Sequence, residues 1–282
     1  MSLHHDEGHV TQRAVPGPAL YFKSTMPEGA PKAVLGLLHG YADHAARYDH
    51  VAKELAEAGI GVVAIDMRGH GRAQGVRGFC SRFDEFLDDA EELVRLVDDR
   101  AKGAPRFLFG HSFGGLVASR SVLDSPGAWR GLLLSAPFFG LALEVPAAKI
   151  LAGKIASRIV PKLGLSSGLH GRDMTHDPVR ARSYDEDPLV FKKARARWFT
   201  ETTQAQADVL ARARNLRIPF YEMFGSGDKV ASFASGKAFF DAASSEDKTW
   251  DPKEGLFHEI LNEPSYRESA ATLAAWILQR AR

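Results

Sequence analysis

The segment Arg106 to Leu123, RFLFGHSFGGLVASRSVL, sets a serine where its hydroxyl could act as a nucleophile. Residues 107–109 form a short apolar run of the kind a strand buried on both faces shows, while Leu116, Val117, Ser119, Arg120 and Leu123 fall at helical spacing. Ser112 therefore lies at a strand-to-helix corner. Such a corner strains the backbone and forms only where the residues two before and two after the serine lack side chains that clash; Gly110 and Gly114 meet that demand. The hydroxyl is then lifted clear of a sheet and over a helix N-terminus, whose unpaired N–H groups favour developing negative charge. The bland alternative is a glycine turn that only joins strand to helix. A second copy of the five-residue pattern, Gly164-Leu165-Ser166-Ser167-Gly168, has neither a strand before it nor a helical run close behind, and reads as a flexible loop.

A serine hydroxyl needs a base, and the base needs an acceptor that fixes its tautomer. In folds with this corner the chain order is serine, acid, histidine. Of the eleven histidines only His258 follows the last candidate strands, in the loop GLFHEILNEP before a final helix, so it is the expected base. The expected acid is Asp228, which ends Gly225-Ser226-Gly227-Asp228 after an apolar strand; Asp241 and Asp251 are the fallbacks. Asp228 is also a natural turn residue and His258 could be an ordinary loop residue. Two N–H donors must face the oxyanion of a tetrahedral intermediate. These are expected from Phe113, the residue after the serine, and from Tyr41 in the loop LLHGYADHAARY. His39 reads as an organiser of that loop, and His44, His50, His70 and His111 as structural or substrate-facing.

The elements that must carry these residues recur as apolar runs with helices between them, at residues 33–38, 51–58, 61–65, 83–97 and 107–109. That alternation predicts an α/β fold with a mostly parallel central sheet and helices on both faces. Further strands are expected at residues 131–135, 219–224 and around 248–250. The helix from about Arg82 has Ser81 as its expected N-cap, and a last helix starts near Pro264. Between residues 138 and 214 the rhythm breaks into amphipathic segments, such as 147–159 and 190–199, and loops rich in Asp, Pro, Gly and Arg. This stretch reads as a cap inserted over the carboxyl edge of the sheet, with residues 1–137 and 215–282 as the core. Phe138, Phe139, Leu141, Leu143 and Ile150 open the insertion, either as acyl-pocket lining or as cap core.

Composition narrows the class. The 282 residues carry 36 basic and 35 acidic side chains, a net charge of +1, which predicts no nucleic-acid partner. The single cysteine, Cys80, reads as a small packed residue in a chain suited to a reducing, cytoplasmic compartment, and no thiolate metal cluster can form. The N-terminus MSLHHDEGHVTQ lacks the apolar core of a signal peptide; His4, His5 and His9 read as a mobile solvated tail rather than a metal site. The longest apolar stretch, residues 131–143, is too short to span a bilayer and contains Pro137, so a soluble chain is expected.

The motifs together resemble the monoglyceride lipase and lysophospholipase branch of the α/β-hydrolase superfamily, over nearly the whole chain except the cap. The matching pieces are His39-Gly40 with Asp43-His44 and Arg47-Tyr48, Asp66-Met67-Arg68-Gly69-His70-Gly71, Gly110 to Gly115, Gly225 to Asp228, and His258 with Glu259. Relatives usually carry Glu at the Asp43 position and Ser at the Ala73 position. The resemblance implies an acyl-enzyme on Ser112, a fatty acyl ester of monoacylglycerol or lysophospholipid type as substrate, and no cofactor or metal. It places Asp43 and Arg47 near a polar head group, with Phe138, Phe139 and Leu141 beside the acyl chain. Transient contact of the cap with a membrane surface is left open, as are the oligomeric state and two other readings. These are a carboxylesterase, thioesterase or other α/β-hydrolase acting on a small non-lipid substrate, and a ligand-binding module that has lost catalysis.

Overall fold

The computed structural model describes residues 2–12, 16–142 and 147–282, without the side chains of residues 147–150. In chain order the elements are β1 (Leu3–Val10), β2 (Leu20–Pro27), β3 (Ala33–Leu38), α1 (Asp49–Glu57), β4 (Ile60–Asp66), α2 (Asp84–Ala101), β5 (Arg106–His111), α3 (Phe113–Asp124) and β6 (Gly131–Ser135). There follow α4 (Ala147–Ile159), β7 (Gly164–Ser166), α5 (Gly171–Met174), α6 (Pro178–Glu186), β8 (Lys193–Arg195) and α7 (Ala196–Arg212). The chain closes with β9 (Phe220–Gly225), α8 (Phe233–Ala242), β10 (Lys248–Lys253) and α9 (Tyr266–Arg280).

Eight strands form one sheet in the order β1-β2-β4-β3-β5-β6-β9-β10. From β4 to β10 all neighbours are parallel, and β2 is antiparallel to both β1 and β4. Strands β3, β4, β5 and β6 are apolar on both faces because each face is covered by helices: α2, α3 and α7 meet one apolar cluster, α1 and α9 the other. The chain leaves β3 toward β4 and then crosses back to β5. This reversal opens a crevice at the carboxyl ends of β3 and β5, where the Tyr41 loop and Ser112 emerge.

The amino-terminal histidines are not a mobile tail. Residues Leu3–Val10 pair in register with Leu20–Pro27 as an edge strand, with His5 Nδ1 against Thr25 Oγ1 at 3.2 Å and Asp6 ion-paired to Arg100 at 2.8 Å. Charged and histidine side chains suit an edge that must not recruit another strand, and they hide its β character from an apolar pattern. The helix expected from Arg82 begins at Asp84 with no side-chain N-cap. Ser81 lies one turn earlier and its own N–H is taken by the Glu85 carboxylate at 3.2 Å. The second glycine-serine motif is partly regular: Gly164–Ser166 pairs antiparallel with Lys193–Arg195. That pairing also splits the expected 190–199 segment into β8 and the start of α7.

Strand β9 carries an acidic residue into the apolar core. Glu222, at the centre of β9, is fully buried, and neither carboxylate oxygen has a partner among the described residues. Burial, with a smaller push from the Asp241 charge, raises its pKa well above the ordinary 4.5. The folded state then holds a proton that the unfolded chain releases above 4.5, so stability falls as pH rises through that window, by about 1.4 kcal/mol per unit. Glu222→Met removes this slope and stabilises the protein at pH 8 by about 1–3 kcal/mol. Denaturant titrations at pH 5 and 8 measure both quantities; parallel pH dependence in the two proteins would exclude Glu222 as the cause.

Candidate active site

Ser112 takes φ 51° and ψ −118°, the left-handed strain expected of the corner. A side-chain carbon at Gly114 would overlap the carbonyl oxygens of Leu38 and His39, and one at Gly110 would overlap the Gly114 carbonyl. The two glycines therefore let α3 start against β3 and β5 with Ser112 between them. The strained residue is held on every side. Its N–H donates to Ser135 O at 3.0 Å, and its carbonyl accepts from the N–H groups of Gly115, Leu116 and Phe138 at 2.9, 3.2 and 2.9 Å.

The structure brings Ser112, His258 and Asp228 into one hydrogen-bonded line. His258 Nε2 lies 2.8 Å from Ser112 Oγ, and His258 Nδ1 lies 2.7 Å from Asp228 Oδ2. With Asp228 ionised, Nδ1–H donates to it and Nε2 is left to accept the serine proton. The other Asp228 oxygen accepts from the N–H groups of Val230 and Ala231 at 2.7 and 3.0 Å, which fixes the carboxylate plane. Burial raises the Asp228 pKa, and the His258 charge and hydrogen bond together with these N–H donors overcome that and hold it below the ordinary value. Burial lowers the His258 pKa; the Asp228 charge and hydrogen bond, with Glu259 and Asp43 behind them, outweigh it and raise it above 6.5.

Two loops carry this geometry. After β9, Gly227 N–H donates to Leu256 O at 3.0 Å, and Gly255 N–H donates to Ser226 Oγ at 2.8 Å. The aspartate loop and the histidine loop are thus laced to one another. The fallback acids lie elsewhere: Asp241 pairs with Lys237 on α8, and Asp251 with Tyr221 and Lys253.

Among the described residues, neither the Phe113 N–H nor the Tyr41 N–H meets an acceptor. The Tyr41 ring is anchored by its hydroxyl, which donates to Gly78 O at 2.9 Å. His39 does organise this loop: Nδ1–H donates to Gly40 O at 2.7 Å, and Nε2 accepts from the Met67 N–H at 3.1 Å. Burial keeps it neutral, as it does His70 and His111, whose pKa values it pulls down to about 3. His111 stands 4.8 Å from the His258 ring, so its neutrality spares that imidazole a positive neighbour. His50 is likewise structural, its Nε2 against Leu261 O at 2.8 Å.

The two residues expected near a head group are turned into the protein. Arg47 grips Glu259 with both terminal nitrogens, at 2.6 and 2.7 Å, and reaches Asp43 at 3.1 Å. Asp43 also accepts from the Tyr48 hydroxyl at 2.9 Å and from the His44 N–H at 2.8 Å. The charges of Asp43 and Arg47 are committed to one another and to the residue after His258. Of the three expected acyl-pocket residues, Phe138 lies at the serine through its N–H. Phe139 packs into the core 4.4 Å from the Phe239 ring, and Leu141 is 40% exposed and bridged to Ala231. Leu143 and the side chain of Ile150 lie outside the described residues.

Sequence reasoning missed the contacts that join residues 171–195 to the site. His44 Nε2 meets Asp187 Oδ2 at 2.9 Å, Glu259 N–H donates to Met174 O at 2.8 Å, and His176 binds the buried Glu263 carboxylate at 2.8 and 3.0 Å. It also missed Trp198, which stacks on Tyr41 at 3.6 Å. These pairs are far apart in sequence, so no local spacing announces them.

A left-handed serine between strand and helix, followed along a parallel sheet by an aspartate and a histidine in hydrogen-bond line, defines an α/β-hydrolase. The chain matches the family model described as serine aminopeptidase, S33, over residues 29–265, and it belongs to that family. It is 29% identical over 265 residues to a monoacylglycerol lipase of Mycolicibacterium smegmatis, covering 94% of each chain. It is 31% identical to the phospholipase YtpA of Bacillus subtilis, over 83% of this chain and 90% of that one. Among solved structures, a monoacylglycerol lipase of Paleococcus ferrophilus superposes with a TM-score of 0.82 at 26% identity, covering 99% of this chain and 100% of that one.

Proposed function

We propose that this chain hydrolyses carboxylic esters of fatty acyl chains, of monoacylglycerol or lysophospholipid type, through an acyl-enzyme on Ser112. The observation that carries the reading is the continuous line from Ser112 Oγ through His258 to Asp228 on a strained corner. Ser112 attacks the ester carbonyl as His258 Nε2 takes its proton. The oxyanion is met by the free N–H groups of Phe113 and Tyr41, each such donor being worth about 10²–10³ in rate. His258 then gives the proton to the leaving alcohol, and water repeats the sequence on the acyl-enzyme. No cofactor enters this chemistry. Residues 138–214 serve as a cap over the serine, and their contacts with His44, Glu259 and Glu263 support that division. Relatives named monoacylglycerol lipase and phospholipase support the substrate class.

The reading is tested by rates on 4-nitrophenyl esters of increasing chain length beside 1-monoacylglycerol and lysophosphatidylcholine. Turnover rises toward medium or long chains, a fluorophosphonate labels Ser112 stoichiometrically, and Ser112→Ala lowers kcat by about 10⁶. Near-normal hydrolysis by the alanine protein would remove Ser112 from the reaction; activity on acetate alone would leave a serine esterase of small substrates.

A lipid surface is the expected meeting place. Leu151, Ile155 and Ile159 repeat every four residues along α4 and are at least half exposed, and the apolar stripe continues through Val160, Leu163 and Leu165. Lys154, Arg158 and Lys162 flank it, also exposed. Such a face suits the headgroup region of an anionic bilayer. No helix among the described residues is long and apolar enough to cross a membrane. The protein co-sediments with phosphatidylglycerol vesicles at low salt, and Leu151→Asp with Ile155→Asp abolishes it; retention by the double variant would place the contact elsewhere.

A further inference from the structure

The inward face of α7 carries Ala196, Trp198, Thr202, Ala205 and Val209. Trp198 packs on three aromatic rings from segments that flank the candidate nucleophile. Its indole stacks on Tyr41 at 3.6 Å, meets the Phe113 ring edge-on at 5.3 Å and runs parallel to Phe138 at 6.4 Å. All three rings are fixed relative to Ser112. Phe113 is the next residue, Phe138 N–H is bonded to the Ser112 carbonyl, and Tyr41 follows Gly40, where a Cβ would touch Ser112 Cβ at 3.5 Å.

Two polar atoms on this apolar face have no partner among the described residues. They are Trp198 Nε1 and Thr202 Oγ1, on side chains of residues only 4% and 2% exposed. Residues four apart on a helix are neighbours on one face. A threonine inside a helix ordinarily returns its hydroxyl to the carbonyl three or four residues back. Thr200 and Thr203 of this same helix do so, at 2.9 Å to the carbonyls of Arg197 and Phe199. Thr202 does not. A buried donor left unpaired is destabilising, and a plain hydrocarbon ligand would give neither group a partner. Phenylalanine and valine would line a hydrocarbon pocket without that penalty.

We propose that Trp198 Nε1–H and Thr202 Oγ1 form a polar subsite that binds an oxygen function, a hydroxyl or ketone, carried on the acyl chain of the ester. The inference rests on the esterase reading of Ser112. The leaving oxygen must face His258, which protonates it. Trp198 lies against Tyr41 and Phe113, the two residues whose N–H groups receive the oxyanion, and we assign that side of the serine to the acyl chain. The indole N–H donates to the oxygen, and the threonine hydroxyl accepts from a substrate hydroxyl or donates to a ketone.

The test compares kcat/KM for glycerol monodecanoate with that for decanoates hydroxylated at successive carbons. One position in the series is preferred over the plain chain by about tenfold, the equivalent of one buried hydrogen bond. In Trp198→Phe, which keeps the stacked ring, and Thr202→Val, which keeps the volume, that ratio falls toward one. A flat series in an active enzyme, or an unchanged ratio in both variants, overturns the subsite and leaves the esterase reading standing. Failure of every ester overturns the esterase reading. The subsite is then read from calorimetric binding of plain and hydroxylated decanoic acids to the Ser112→Ala protein, where equal affinities overturn it. Thr202→Val also melts no lower than the parent chain, and a clear fall in melting temperature would show that the hydroxyl has a structural partner.

Discussion

Asp228→Asn lowers kcat by about 10⁴ while the protein still folds. The geometry explains why so small a change acts so strongly. Asp228 Oδ2 accepts from His258 Nδ1, which leaves Nε2 free to take the serine proton, whereas an amide in that place can donate to Nδ1 and move the ring proton to Nε2. The base then faces Ser112 with a proton already on it. The pH profile separates this from simple misfolding. Burial draws the His258 pKa down, but Asp228 chiefly raises it above 6.5, so the acid limb of kcat/KM in the parent chain lies above that value. Asparagine removes the largest raising charge, and the limb of the residual activity moves to lower pH. The depressed carboxyl pKa of Asp228 stabilises the fold above the ordinary 3.8, and that contribution is lost as pH falls through the folded value. An unshifted limb together with near-normal kcat would transfer the role of acid to another group.

The parts of this molecule that sequence reveals are those whose constraint is local. Gly110, Ser112 and Gly114 sit within five residues, so the clash that forbids side chains at both glycines is written into one short string. The buried strands β3, β5 and β6 read as apolar runs because helices cover both their faces. His258 and Asp228 are legible through chain order, which the topology of the parallel sheet imposes. Strand β1 is not legible, because its residues meet solvent on the free edge and polar side chains are favoured there. Arg47 and Glu259 are 212 positions apart, and Trp198 reaches Tyr41 across 157; only the folded chain shows either contact. The same limit applies to Asp43 and Arg47. Their spacing marks one turn of chain, but whether such a pair faces a ligand or a buried carboxylate depends on what the last loop brings to it.

That loop gives the second large effect. Arg47→Met destabilises the protein by about 3–5 kcal/mol, because it leaves the Glu259 carboxylate and Asp43 buried without their cation. Burial lowers the Arg47 pKa and raises that of Asp43, yet the mutual charges win in both, which shows how closely the three groups are matched. Activity falls as well, through position rather than contact with substrate. Glu259 follows His258, and its two bonds to Arg47 with the Asn262 amide at 3.0 Å hold the loop that presents the imidazole to Ser112. Loss of the guanidinium also leaves two negative charges acting on His258, so the acid limb of kcat/KM moves to higher pH, opposite to its movement in Asp228→Asn. Arg47→Lys keeps the charge and loses the two-pronged grip; it recovers most of the limb position but not kcat, because one ammonium cannot hold both oxygens of Glu259 in plane. The discriminating variant is Arg47→Met combined with Glu259→Leu, which removes the stranded carboxylate: stability returns toward the parent value while kcat stays low. Full recovery of kcat in that double variant would show that the pair supports the fold alone and has no part in aiming His258.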